Sequence, residues 1–142
     1  MDKISIELDV QRTAAVPPLE FQIKLDGVVV HRLSTDSEHV QFELVDDEAN
    51  HELEFELLNK LPDHTKIDQD NNILQDALIE ITNITVDGIN IDQICHDHSE
   101  YQHNYNGSGT AVCERFYGHM GCNGIVSLKF TTPIYLWLLE TM

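Results

Sequence analysis

Apolar and polar residues alternate with a period of two through most of the chain. Ile4, Ile6 and Leu8 are interleaved with Ser5, Glu7 and Asp9, and Leu19, Phe21, Ile23 and Leu25 with Glu20, Gln22 and Lys24. Val40, Phe42 and Leu44 alternate with Gln41 and Glu43, and Leu53, Phe55 and Leu57 with Glu52, Glu54 and Glu56. Successive side chains of a strand point to opposite faces, so each run predicts a strand with one face on a core and one in water. Asp26-Gly27 and Asp87-Gly88 each follow such a run and favour a two-residue hairpin turn, so strands are also predicted at 28–33 and from Ile89 through Ile91 towards Ile94. Ala77, Ile79 and Ile81 hold one face, but Ile84 and Val86 continue it out of phase, which predicts a β-bulge near Thr82-Asn83.

Two segments break the pattern. Residues 59–76 and 95–110 are polar and without period, and are expected to be surface loops. A strand is predicted around 111–117, a glycine-punctuated turn at Gly118, Gly121 and Gly124, and a strand over 125–131. The run IYLWLLE after Pro133 is apolar on both faces from Ile134 to Leu139, with Tyr135 and Trp137 on one face of the strand it predicts. Such a strand is central in a sheet or buries one face in a partner, which allows a homo-oligomer. Helical periodicity is nowhere sustained. About ten short strands with turns between them indicate one all-β domain over residues 1–142, an antiparallel β-sandwich or jelly roll.

Charge narrows the partners. Twenty-five acids against eight basic residues give −17 with neutral histidines. Such a field repels phosphate, so neither nucleic acid nor anionic lipid is an expected partner. No apolar run reaches the roughly 18 residues of a membrane span, so no membrane insertion is expected. The N-terminal MDKISIELDV carries acids and alternates, unlike a secretory signal. Cys95, Cys113 and Cys122 are odd in number and form no CxxC, the pattern of reduced thiols.

Candidate chemistry lies in the two polar segments. Asp63, Asp68, Asp70, Asn71, Asn72 and Asp76 are hard oxygen donors within one loop, the donor type calcium takes, although the EF-hand spacing fails; the plainer reading is a loop capped by Asx turns. In ICHDHSEYQH, an extended chain puts His96 and His98 on one face, and His103 offers a third ligand for Zn²⁺ or Fe²⁺; the plainer reading is again a solvated loop. Tyr101, Tyr105 and Tyr117 lie in or near that segment and are the candidate ligand or partner contacts, with Tyr135 and Trp137 further on. No nucleophile elbow, phosphate loop, dinucleotide fingerprint or HExxH is present, and Cys95 and His96 of an extended chain point apart, so catalysis is not expected.

From about Leu19 to Ile94 the succession "LEFQIKLDGVVV", "HVQFEL", "HELEFELLN", "DQDNN" and "ALIEITNITVDG" resembles small calcium-dependent carbohydrate-binding modules of the xylan-binding type. That resemblance implies a β-sandwich, calcium and glycan. The chain departs from it in a longer loop at 60–76, in the lack of a Trp there, and in the C-terminal GHMGCNGIVSLKFTTPIYLWLLETM. That last stretch resembles small proteins of tailed bacteriophages, especially those of aquatic bacteria. It implies a virion component at the capsid surface, neck or tail, made in the host cytoplasm. Such a component docks onto other virion proteins, host-surface glycan, or both. The expectation is therefore a non-catalytic virion protein, with a calcium-dependent carbohydrate-binding module and a small metal-dependent enzyme as alternatives.

Overall fold

The computed structural model describes residues 3–61, 64–104 and 109–141. Strands β1 (Lys3–Arg12), β4 (Ser37–Val45), β8 (Ile79–Val86) and β12 (His119–Met120) form one sheet in the order β12-β8-β1-β4, with the short β9 (Ile89–Asn90) paired to β8. Strands β2 (Phe21–Leu25), β3 (Val28–Arg32), β5 (Asn50–Leu57), β10 (Glu100–His103), β11 (Val112–Arg115) and β13 (Gly124–Thr131) form the other, in the order β11-β10-β13-β5-β2-β3. Every strand pairing is antiparallel. Apart from these lie a hairpin of β6 (Thr65–Ile67) and β7 (Ile73–Asp76), and two helices, α1 (Asp92–His98) and α2 (Ile134–Thr141).

The alternation becomes the core of this β-sandwich. Ile4, Ile6, Leu8 and Val10 of β1 meet Leu53, Phe55 and Leu57 of β5 within one buried cluster. Phe55 sits at its centre, 6.2 Å from Phe21 and 6.1 Å from Phe116 between ring centroids. Both Asp-Gly turns have two positive φ angles, 53° and 82° at Asp26-Gly27 and 48° and 82° at Asp87-Gly88, as a type I′ hairpin needs. The β1–β8 register shifts between Glu7 and Asp9, and Asn83 at φ 53° is the extra residue of the expected bulge. The Asp92 carboxylate accepts the amides freed there, from Asn83 at 3.2 Å and Ile84 at 2.8 Å.

Three stretches differ from the sequence expectation. The 59–76 segment is not structureless, since β6 and β7 pair within it, and Lys60 and His64 are buried. The strand expected from Ile89 towards Ile94 ends at Asn90, because α1 begins at Asp92; the following 95–110 segment contributes the last turn of α1 and then β10, with Cys95, Ser99, Tyr101 and His103 buried. The IYLWLLE run is the helix α2, not a strand. Trp137 donates its amide to the Pro133 carbonyl, and Ile134 and Leu138, one turn apart, are the buried pair. Tyr135, Leu136 and Leu139 are exposed, and Tyr135 and Trp137, two positions apart on a helix, no longer share a face.

A carboxylate organises the approach to β4. Glu38 accepts the amides of Ser34 at 2.6 Å and Thr35 at 2.7 Å, and its other oxygen meets His31 Nε2 at 2.9 Å. Burial works against the charge, but these amides and His31 outweigh it and hold Glu38 down at about 2. A carboxylate depressed by folding contributes stability that is full above its ordinary value of 4.5 and is lost as pH falls towards about 2. Glu38→Ala is expected to cost about 1.5–3 kcal/mol at neutral pH. Urea midpoints measured against pH should show the variant's deficit shrinking across that acid window, and a pH-independent deficit would reject the assignment.

Candidate functional site

Strand order assembles a surface that no single segment of the chain displays. On the outer face of the six-stranded sheet, Arg32, Gln22, Glu56, Ile125, Gln102 and Cys113 are successive cross-strand neighbours on β3, β2, β5, β13, β10 and β11. Five interstrand steps of about 4.8 Å make this row about 24 Å long. Beside it runs a second row, Lys24, Glu54, Ser127, Glu100 and Arg115. The first row has relief. A groove of about 690 Å³ opens among Glu56, Leu58, Gln102, Asn104, Cys113 and Ile125, and a recess of about 400 Å³ continues it past Leu58 to Gln22 and Arg32.

The groove's polar groups are held in place. Glu56 Oε1 accepts Gln22 Nε2 at 2.6 Å and meets Lys24 Nζ at 3.1 Å. Glu54 keeps its proton to higher pH than usual, because burial and the neighbouring Glu52 and Glu56 charges outweigh Lys24. Gly124 lets β13 lie against β10: a Cβ there would stand 2.2 Å from the Gln102 carbonyl oxygen. Asn123 clasps Lys60, with its Oδ1 on the Lys60 amide and its Nδ2 on the Lys60 carbonyl.

The tyrosines and Trp137 separate. Tyr117 is 59% exposed, with the Arg115 guanidinium 5.5 Å above its ring and the His96 ring 6.3 Å away. Arg115 also bridges to Asp97, so Tyr117 is fixed at the β11 end of the polar face. Tyr101 is buried under the sheet, its hydroxyl donating to the Cys122 carbonyl and accepting the Cys122 amide. Burial pushes that phenol up, and the ring serves the core. Tyr135 is exposed, and its hydroxyl donates to Asp87 at 2.9 Å. Trp137 is half-buried, edge-on to Phe130 at 5.9 Å. Tyr105 lies outside the described residues.

The metal candidates do not converge. His96 and His98 lie on α1, where positions two apart are about 200° around the axis, so the shared face of an extended chain does not form. His103 is on β10 with its Nε2 2.8 Å from Glu114. Asp68 turns its carboxylate into its own hairpin, accepting the amides of Asp70 at 2.8 Å and Asn72 at 2.9 Å, which lowers its affinity for protons. Asp76, at the other end of the hairpin, takes Lys60 and the Thr65 hydroxyl. Asp63 lies outside the described residues. Among the described residues no three His, Cys, Asp or Glu side chains are grouped to hold a metal ion. Burial and then Asp92 push the Cys95 thiol up to about 12, which disfavours the thiolate.

No family model matches the sequence, and no curated protein matches it. Two solved structures are similar in fold. One is a carbohydrate-binding module, vCBM60, in complex with galactobiose; it is 12% identical with a TM-score of 0.51, over 87% of this chain and 96% of that one. The other is a selenomethionine form of vCBM60, from work linking two families of calcium-dependent carbohydrate-binding modules by circular permutation; it is 11% identical with a TM-score of 0.55, over 88% of this chain and 89% of that one. The chain therefore has a β-sandwich of the kind found in these carbohydrate-binding modules.

Proposed function

We propose that the chain is a non-catalytic glycan-binding module whose ligand lies across the outer face of the six-stranded sheet. The observation that carries this reading is the polar row from Arg32 to Cys113, sunk into a groove at Glu56, Gln102 and Ile125. A glycan presents hydroxyls along its edges and apolar patches on its ring faces. Carboxylate and amide side chains answer the hydroxyls, and Leu58, Ile125 and the exposed Tyr117 ring answer the patches. The −17 charge selects against uronate and sulfated chains, so the ligand class is a neutral polysaccharide. The similarity in fold to vCBM60 supports the same reading.

Calorimetric titration with neutral oligosaccharides tests it. Glu56→Ala is expected to weaken binding by about 10-fold or more and Gln102→Ala by about 3–10-fold, with melting temperatures close to that of the unaltered chain. Affinity unchanged in both variants would move the site elsewhere. Binding of sulfated glycans in preference to neutral ones would refute the ligand class.

A place in a virion rests on the sequence resemblance of the C-terminal third, and purified particles probed for this chain test it. The homo-oligomer expectation passes from a strand to the exposed face of α2, Tyr135, Leu136 and Leu139, and light scattering of Leu139→Asp against the unaltered chain tests that.

A further inference from the structure

The similar fold belongs to modules described as calcium-dependent, yet in this chain a convergence of oxygens beside the groove surrounds a side chain. The Lys60 side chain, which follows β5, is 1% exposed. Its Nζ lies 2.6 Å from Asp76 Oδ1, 2.5 Å from the Ala77 carbonyl and 2.9 Å from the Gly121 carbonyl. An ammonium has three protons, and these three acceptors use all of them. A carboxylate with two backbone carbonyls is also the donor type that a hard divalent ion gathers. The distances to Ala77 and Asp76 are short, and the one to Gly121 is an ordinary N–H···O length, beyond the roughly 2.3–2.6 Å of calcium–oxygen bonds.

We infer that the Lys60 ammonium does in this chain the work of a bound divalent cation, so that the groove keeps its shape without calcium. The ammonium joins the end of β5, the base of the β6–β7 hairpin and the loop before β13. The joint is doubled by Asn123 on the Lys60 backbone and by the Thr65 hydroxyl on Asp76 at 2.7 Å. Leu58 and Asn123, two positions before and sixty-three after Lys60, line the groove, so the charge that fixes these loops also fixes the groove's wall. A covalently attached cation is never lost by dilution or chelation. The consequence for binding rests on the glycan reading above; the consequence for folding does not.

The test is thermal unfolding of the full chain in excess chelator and in excess calcium, with Lys60→Met and Asp76→Asn beside the unaltered protein. The unaltered chain is expected to melt at the same temperature in both conditions. Lys60→Met, which leaves the Asp76 carboxylate without its counter-charge, is expected to melt about 10–20 °C lower, with Asp76→Asn shifted in the same direction. If Lys60→Met does not fold, Asp76→Asn carries the comparison. A fall in the unaltered chain's melting temperature on adding chelator overturns the inference, as does an unshifted Asp76→Asn together with an unshifted or unfolded Lys60→Met. Affinity for a neutral oligosaccharide should likewise be equal in chelator and in calcium. If no such glycan binds at all, the functional reading fails while the melting data still decide the role of Lys60.

Discussion

Adding one methyl group at Gly124 is expected to cost about 3 kcal/mol or more. The Cβ would stand 2.2 Å from the Gln102 carbonyl oxygen, 2.9 Å from His103 Cβ and 3.2 Å from the Gln102 carbonyl carbon. Two of these contacts are backbone, so no rotamer change relieves them, and β10 must part from β13 where His103 pairs with Gly124. Overpacking alone costs about 1–3 kcal/mol, and here a ladder is disturbed as well. Gly27→Ala is the control. Its φ of +82° carries the backbone penalty of about 1–2 kcal/mol, but an added Cβ meets nothing within 4 Å. Gly124→Ala should therefore melt well below Gly27→Ala, with faster amide exchange at 102–103 and weaker glycan binding, because Gln102 lines the groove. Equal melting temperatures for the two variants would contradict the close approach of β10 and β13.

Phe116→Ala is expected to remove about 3–5 kcal/mol, a large share of the roughly 5–15 kcal/mol available to a domain. Phe116 has no exposed surface and lies between β11 of one sheet and β12 of the other, where the chain crosses the sandwich. Its ring packs on Phe55 and meets His96 edge-on at 6.3 Å, so a cavity there separates the two sheets and loosens α1 together. Phe116→Leu, which keeps most of the volume, should lose less than half as much. Urea unfolding of both variants measures this, and near-native stability of the alanine variant would show that the crossing is not a core element.

Much of the architecture was legible because it is written in local periods. The alternation of β1 and β5, the two Asp-Gly turns and the phase slip at Asn83 each have a cause within a few residues, and each stands in the structure as expected. The α2 run reads as a strand because Ile134 to Leu139 are apolar at every position, and a pattern without polar residues has no period to distinguish strand from helix. The α1 turn escapes the sequence because seven residues are too short to show a repeat: Ile89, Ile91 and Ile94 read as a strand, and the polar residues from Cys95 onward as a loop. The candidate site was least legible. In the sequence Glu56 and Gln22 are only the polar half of an alternation, and Gln102 and Cys113 lie in or beside an aperiodic stretch. What joins them is the order β3-β2-β5-β13-β10-β11, which follows from tertiary pairing and from no feature of any one strand.

The same order sets the tempo at which the molecule assembles. β5, at the middle of its sheet, pairs residues 50–57 with residues 124–131, and β1 pairs residues 6–12 with residues 79–86. Each central ladder closes a long loop before it gains any hydrogen bonds, and sandwiches dominated by such pairings fold in roughly milliseconds to seconds. Throughout that interval β5 has an open edge, carrying Leu53, Phe55 and Leu57 beside Glu52, Glu54 and Glu56. Three like charges on alternate positions repel a second copy of the same strand, so the carboxylates on the outer face of the finished sheet act as gatekeepers against aggregation while it is being made.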